Sequence, residues 1–128
     1  MSYTATAHTI EHYQTTDGND VLAAWFATLR NRRAVARIAA RVGRLAHGLF
    51  GDGKSLRDGV WELRIDEGLG YRVYYSRAGH RSILLLCGGD KSTQTKDIQS
   101  AVDYWEDWQE RTRHEKSTRK PPSRRVVT

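Results

Sequence analysis

The sequence has one cysteine, two prolines and no long apolar run. A single thiol cannot form an intramolecular disulfide, and Cys87 follows the apolar residues Ile83–Leu86, so we expect a buried free thiol in a reducing compartment. No apolar stretch approaches the roughly 20 residues of a membrane-spanning helix, and Met1–Thr9 lacks the charged and apolar segments of a secretion signal. These absences predict a soluble, cytoplasmic protein that does not engage a membrane.

The excess of positive charge lies at the end of the chain. The formal net charge is +6, and residues 111–128 contain seven basic side chains and one acidic side chain. Residues 1–110 contain 14 groups of each sign, but all 14 of these basic groups lie within residues 30–96, together with only six acidic ones. We therefore expect one folded domain at residues 1–110 with a cationic centre, and a basic, disordered tail at residues 111–128.

Apolar periodicity predicts an α+β fold. Residues 5–14 are a weak strand candidate, and apolar side chains at helical spacing predict a helical hairpin that begins near Asp20 and ends at Gly48. Residues 60–66 and 71–75 alternate between apolar and polar side chains, which predicts an antiparallel hairpin. The apolar residues 82–87 predict a third strand covered on both faces, and Ser92 or Thr93 is expected to cap a final helix. The expected order is an N-terminal strand, a helical hairpin, a three-stranded antiparallel meander and a C-terminal helix, with a four-stranded, mainly antiparallel sheet.

Strand alternation places two arginines side by side. Two pairing registers suit the hairpin, one with Arg64 directly opposite Arg72 and one shifted by two residues, and both keep these arginines on the same face. Adjacent like charges destabilise a sheet, so the pair needs a compensating acid, for which Asp58, Glu62 and Asp66 are candidates, or an anionic ligand. A solvated lattice of arginine–carboxylate pairs is an equally good interpretation of the pattern.

Other polar residues are candidates for ligand binding. The glycines before Lys91 are expected to form a turn, either a plain one or one that lets an anion approach the backbone. On a strand, His8 and His12 would lie about 13 Å apart, too far to share a metal ion, so we expect no metal site. Tyr74 shares the predicted arginine face and is a candidate for stacking on a nucleic-acid base.

Three ordered segments, Gly59–Ile65, Gly70–Tyr74 and Leu85–Gln94, resemble the RelE/ParE toxin superfamily, and in particular its HigB-like addiction module killer branch. The resemblance extends from about Thr9 to Trp105 and implies a RelE-like fold. It also implies that the protein is the toxin of a type II toxin–antitoxin system. Such a toxin is an endoribonuclease that cleaves mRNA in the ribosomal A site without metal or other cofactor. The implied partners are mRNA, the ribosome with its 16S ribosomal RNA, and a helix-turn-helix antitoxin. Operator DNA is expected to be contacted only through this antitoxin.

The resemblance also implies a set of catalytic residues. Arg72 matches the family arginine that stabilises charge on the scissile phosphate, Lys91 matches a basic residue after the last strand, and Arg64 matches basic positions on the preceding strand. Some members have a tyrosine on the last helix that assists the attacking 2′-hydroxyl, and this chain has Asp97 there. The general base therefore stays open, and Lys91, among neighbouring cations, is one candidate.

Further basic residues are expected to contact RNA. Lys54 and Arg57 would be RNA-gripping loop residues. Arginines recur at helical spacing along the predicted hairpin, where they form either a solvated face or a surface for RNA phosphates or an acidic antitoxin segment. The members of this stripe are Arg30, Arg33, Arg37, Arg41 and Arg44. Of these, Arg37 and Arg41 are the predicted RNA contacts.

Two other functions suit the same fold. One is a ParE-like toxin that acts on DNA gyrase, and the other is a non-catalytic protein that binds only an antitoxin or operator DNA. The convergence of Arg64, Arg72 and Lys91 favours the nuclease, because a gyrase-binding protein does not need converging phosphate ligands.

Overall fold

The computed structural model describes residues 7–51 and 53–119, which form a mixed sheet with helices on both faces. Within these residues the sheet has five strands in the order β1-β5-β4-β3-β2, and only β1 and β5 run parallel. The elements in chain order are β1 Thr9–His12, α1 Val21–Ala27, α2 Arg32–Leu45, β2 Lys54–Arg57, β3 Val60–Ile65, β4 Tyr71–Gly79, β5 Ser82–Asp90, a 3₁₀ turn at Lys91–Thr93, and α3 Gln94–Arg119.

The α+β class is confirmed, with one strand more than the sequence predicts. The extra strand, β2, pairs antiparallel with the edge of β3, where Lys54 lies opposite Glu62. Lys54 and Arg57 therefore lie on an edge strand and not in a loop. The pattern hides this strand because Leu56 is its only apolar residue and the pairing register shifts beside it.

The register of the central hairpin is the first of the two predicted ones. Arg64 pairs with Arg72, and Trp61 pairs with Tyr75. The alternation buries Leu63 on one face of β3 and leaves Arg64 on the other, as predicted. A slip of one residue would expose this apolar set, so burial on one face excludes the registers that differ by one residue.

Each face of the sheet has its own core. The helices α1 and α2 cover one face, where Ile38 and Leu45 pack against Leu63. The helix α3 covers the other, where Val102 packs among Val60 and Leu86. Residues 83–87 of β5 are at most 4% exposed, so the predicted strand covered on both faces is confirmed. Each fully buried Leu or Ile side chain contributes about 1.5–3 kcal/mol.

The strand β5 continues further than expected. Gly88 and Gly89, predicted as turn residues, pair with β4 inside the sheet. A Cβ on Gly88 would collide with the Trp25 ring, and a Cβ on Gly89 would collide with Asp97, so both glycines leave room for packing. Asp90 caps the 3₁₀ turn that follows, because its carboxylate accepts the Ser92 N–H and the Thr93 hydroxyl binds its backbone N–H, and α3 begins directly after Thr93.

The last helix is longer than its apolar residues predict. It continues to Arg119, so residues 111–119 are helical and not a disordered tail. Ion pairs at helical spacing support this end: Arg111 binds Asp107 at 2.7 Å, and Arg113 binds Glu110 at 2.7 Å. The rest of the predicted tail, residues 120–128, lies outside the described residues. Across the described part of the chain, no helix is both long and apolar enough to cross a membrane.

Candidate functional site

Basic side chains converge in a cleft at one end of the sheet. The cleft encloses about 310 Å³, and its lining residues are Arg41, Arg64, Ile65, Asp66, Gly70, Arg72 and Lys91. The structure thus brings Arg64, Arg72 and Lys91 to the same cleft. Arg41 joins them from α2, where its Nη1 donates a hydrogen bond to the Arg64 carbonyl oxygen at 2.9 Å. We refer to these four residues as the cationic cleft.

A fully buried carboxylate lies beneath the two arginines. Glu62 Oε1 accepts a hydrogen bond from Arg64 Nε at 3.0 Å, and Oε2 accepts one from Gln94 Nε2 at 2.6 Å. Arg72 Nε lies 3.4 Å from the same Oε2, close enough for an ion pair but without hydrogen-bond geometry. Of the three acids that the sequence offers as counterions, Glu62 is therefore the one that serves both arginines.

Arg72 is more deeply buried than the other residues of the cationic cleft. Its side chain is 10% exposed, compared with 47% for Arg64, and its Nη1 donates a hydrogen bond to the Gly70 carbonyl oxygen at 2.9 Å. Gly70 has a φ of +76°, which L side chains rarely adopt, and a Cβ there would lie 3.7 Å from Lys91 Cβ. The pairing of β4 with β5 sets Asp90 opposite Tyr71, so Lys91 lies against the Gly70 turn and lines the same cleft as Arg72.

The electrostatics of the cleft favour an anion. Four cations line it against a single exposed acid, Asp66, while Glu62 is buried below. A guanidinium remains charged at any physiological pH and can bind two phosphate oxygens at once. The arrangement can hold a phosphodiester and stabilise additional negative charge as it develops on the phosphate.

The predicted RNA contacts on β2 and α2 have different surroundings. Arg57 is exposed at the sheet edge, where it donates hydrogen bonds to Asp58 at 3.0 Å and to Gln99 at 2.6 Å. Lys54 is exposed on the same strand. Arg37 lies 3.2 Å from Glu67, so this part of the arginine stripe binds the β3–β4 turn, while Arg41 reaches the cleft.

Tyr74 does not fit the predicted stacking role. It does share the sheet face of Arg72, but it is fully buried, because α3 covers this part of the face. Its hydroxyl has no hydrogen-bond partner within the described residues, and burial raises the pKa of this group well above its ordinary value. A base cannot stack on this ring while α3 stays in place.

Asp97 is a partly buried carboxylate with a raised pKa on the sheet face that α3 covers. It lies on the first turn of α3, where Thr93 Oγ1 donates a hydrogen bond to its Oδ2. Partial burial raises the pKa of the Asp97 carboxyl, an effect that the Thr93 hydrogen bond and nearby Lys96 oppose and that Asp90 reinforces. The sequence identified the position but not this environment, because the contacts come from packing of α3 on β5.

Residues 7–51 and 53–119 contain no cluster of metal ligands. No group of three or more His, Cys, Asp or Glu side chains there could hold a metal ion. His12 instead lies 2.9 Å from Asp20, the residue that caps α1. Cys87 is a buried free thiol, as predicted, and burial raises its pKa to about 12.

Comparison with known proteins identifies related sequences. The family model described as phage derived protein Gp49-like (DUF891) matches residues 27–104. An uncharacterized protein of Haemophilus influenzae (strain ATCC 51907 / DSM 11121 / KW20 / Rd) is 58% identical over 77 residues, which are 60% of this chain and 78% of that protein. The matched range of the family model includes all four residues of the cationic cleft and Asp97.

Proposed function

Because the chain belongs to the phage-derived Gp49-like family, a RelE- and HigB-like family of toxin–antitoxin toxins, we propose that it arrests growth by cleaving mRNA. This family implies a cognate antitoxin as partner. The observation that carries the nuclease proposal is the cationic cleft, whose arginines are adjacent in register and share a buried counterion. We further propose that the protein acts in the cytoplasm, on mRNA bound to the ribosome.

The proposed reaction is attack of a ribose 2′-hydroxyl on the adjacent phosphate. Arg72 is the buried member of the cleft, is held by the Gly70 carbonyl oxygen, and would stabilise the negative charge that develops on the phosphate oxygens. Arg64 and Lys91 are exposed and would bind the same phosphate from its two sides. Positioning the nucleophile in line with the leaving oxygen would supply much of the rate enhancement.

Binding of the remaining RNA would rest on phosphate contacts. Arg41 extends the cleft towards α2, and Lys54 and Arg57 are exposed on the edge strand. Each phosphate contact releases counterions, so affinity for RNA should fall steeply as salt rises. Replacing Lys54 with Ala should reduce the slope of this salt dependence and leave the position of the cuts unchanged.

The nuclease proposal is tested by mapping RNA 5′ ends in cells after induction of the protein. The wild type should give codon-linked cuts and growth arrest. Arg72→Ala should give neither, while it still binds the antitoxin and keeps its helical circular dichroism. Arg113→Ala removes the same charge from an exposed position on α3 and should behave as wild type.

Other outcomes of the same experiment would overturn the proposal. DNA breaks that depend on gyrase, without RNA cuts, would indicate a gyrase-directed toxin. If the Arg72→Ala variant arrests growth and cuts RNA as the wild type does, Arg72 is not needed for cleavage. Neither RNA cuts nor DNA breaks would indicate a protein that only binds its partners.

A further inference from the structure

The cationic cleft adjoins two further cavities along α2. The linings of the cleft and of a neighbouring cavity of about 390 Å³ both include Arg41 and Asp66. That cavity in turn shares Arg41 and Arg44 with a cavity of about 660 Å³ beside the loop that follows α2, which contains Leu49 and Phe50. The three cavities therefore form one groove from the cleft to this loop, which we call the α2 groove.

The side chain of Arg41 lies where the three cavities meet. At the cleft, its Nη1 donates a hydrogen bond to the Arg64 carbonyl oxygen at 2.9 Å. Its Nη2 faces the loop, since a Cβ on Gly51 would lie 3.4 Å from this atom. One guanidinium thus links the cleft to the loop at the other end of the groove.

The middle of the groove presents cations from one face of α2. Arg37, Arg41 and Arg44 line it, and their spacings of four and three residues place them along about 10 Å of the helix axis. Asp66 is the one acid among the residues that line the three cavities. A groove with this charge attracts a chain that carries several negative charges in a row.

The far end of the groove is apolar and aromatic. Leu49 is 56% exposed, and the half-buried Phe50 lines the cavity next to it. The Arg77 guanidinium lies 4.1 Å from the centroid of the Phe50 ring, and the His8 ring meets the same ring edge-on at 5.6 Å. Arg77 also lies over the Trp61 ring, at 4.6 Å. These contacts position the Phe50 ring beside an exposed apolar side chain, which gives a nucleobase a surface to stack on.

We propose that the α2 groove binds the RNA strand that adjoins the scissile phosphate, with one base stacked on Phe50 and Leu49, an inference that rests on the proposed nuclease function. The phosphates next to the cleft contact Arg41 and Arg44. Proteins that bind single-stranded nucleic acid combine a basic groove with aromatic stacking, and the α2 groove has both. An acidic peptide would use the arginines but has no need of a stacking surface that is continuous with a phosphate cleft.

The stacking surface is tested by binding of the full-length protein to a short, labelled single-stranded RNA with 2′-O-methyl riboses. This strand lacks the attacking hydroxyl, so the proposed reaction cannot cut it, and fluorescence anisotropy reports its affinity. Phe50→Leu keeps an apolar side chain but removes the ring, so it should weaken binding about 5- to 150-fold. Phe50→Tyr keeps the ring and should bind as the wild type does.

The arginines are tested by repeating the titration at several salt concentrations. Arg44→Ala should weaken binding and lower the slope of log affinity against log salt by about 0.7, the value for one phosphate contact on a single strand. Phe50→Leu should leave this slope unchanged, because it removes no charge. The matched control is Arg32→Ala, which removes an exposed charge from α2 outside the lining of the groove and should change neither affinity nor slope.

A strand of the same length without bases separates stacking from charge. Phe50→Leu should bind this strand as the wild type does, whereas Arg44→Ala should still bind it more weakly. Leu49→Ser should behave like Phe50→Leu with both strands. Because Leu49 is exposed, this variant keeps the proposal testable if Phe50→Leu does not fold.

The proposal is wrong if the Phe50→Leu, Leu49→Ser and Arg44→Ala variants bind the RNA with bases as the wild type does. RNA cutting by the wild type in cells would then leave the nuclease function standing. Loss of antitoxin binding in these variants, with RNA binding unchanged, would assign the groove to an acidic antitoxin segment instead. A wild-type protein that cuts no RNA would overturn the nuclease function, and with it the place of the groove beside a scissile phosphate.

Discussion

Replacing Glu62 with Gln should destabilise the protein more than any loss of a surface ion pair. Glu62 is the fully buried counterion of two arginines, and both of its oxygens face donors. A glutamine has nearly the same shape but no charge. One of its two terminal atoms is an NH₂ group, which must then face a donor from Arg64 or Gln94.

The expected loss of unfolding free energy follows from the contacts of Glu62 with Arg64, Gln94 and Arg72. The Arg64 side chain is 47% exposed, so its pair with Glu62 contributes only about 0.5 kcal/mol. The hydrogen bond from Gln94 to a buried charged acceptor contributes about 1.5–3 kcal/mol. Arg72 is 10% exposed, and an uncompensated charge in such a place costs about 3–5 kcal/mol when water cannot reach it. Since these contributions overlap, we expect a loss of about 3 kcal/mol in the free energy of unfolding.

The assay is urea unfolding followed by circular dichroism, with the slope of the unfolding free energy against urea compared between variants. The control is Glu110→Gln, which removes an exposed pair with Arg113 and should change the free energy by less than about 0.5 kcal/mol. A Glu62→Gln variant within about 1 kcal/mol of the wild type at an unchanged slope would refute the counterion role.

Three further predictions follow from buried groups. Tyr74→Phe removes a buried hydroxyl without a hydrogen-bond partner, so in thermal unfolding it should be neutral or stabilising by up to about 1 kcal/mol, and it should keep growth arrest if no base stacks on this ring. Cys87 is buried, with its pKa raised to about 12, so iodoacetamide should label it only after unfolding, and labelling of the native protein would contradict its burial. Burial and the hydrogen bond to Asp107 raise the pKa of Tyr13 from 10.0 to about 12. Its contribution to stability is therefore complete below pH 10 and lost as pH rises towards 12, and Tyr13→Phe should show a smaller alkaline loss in urea unfolding than the wild type.

The sequence predicted those parts of the site that depend on strand alternation. Because side chains alternate strictly along a strand, Arg64 and Arg72 had to share a face in either register. Alternation does not show which part of a face another element covers. It therefore placed Tyr74 correctly beside Arg72 but missed that α3 buries it.

The remaining parts depend on contacts between distant segments. Lys91 joins the arginines because β5 pairs with β4 up to Asp90, a register that no periodicity encodes, and its place was expected mainly from the family resemblance. The selection of Glu62 among three acids required Gln94, which reaches it from α3. The end of α3 was missed because Arg111 and Arg113 support it through ion pairs and not through an apolar stripe.

The contacts of Glu62 explain how the sheet keeps adjacent arginines available for a ligand. Glu62 engages Arg64 and Arg72 through their Nε atoms. The terminal nitrogens of Arg64 make no hydrogen bond to the described residues, and Arg72 commits only Nη1, to the Gly70 carbonyl oxygen. A phosphate binds a guanidinium through its outer N–H groups, which are not the groups that Glu62 uses. The buried carboxylate therefore offsets the repulsion between the arginines and fixes their orientation, while the atoms that would bind a phosphodiester remain exposed to the cleft.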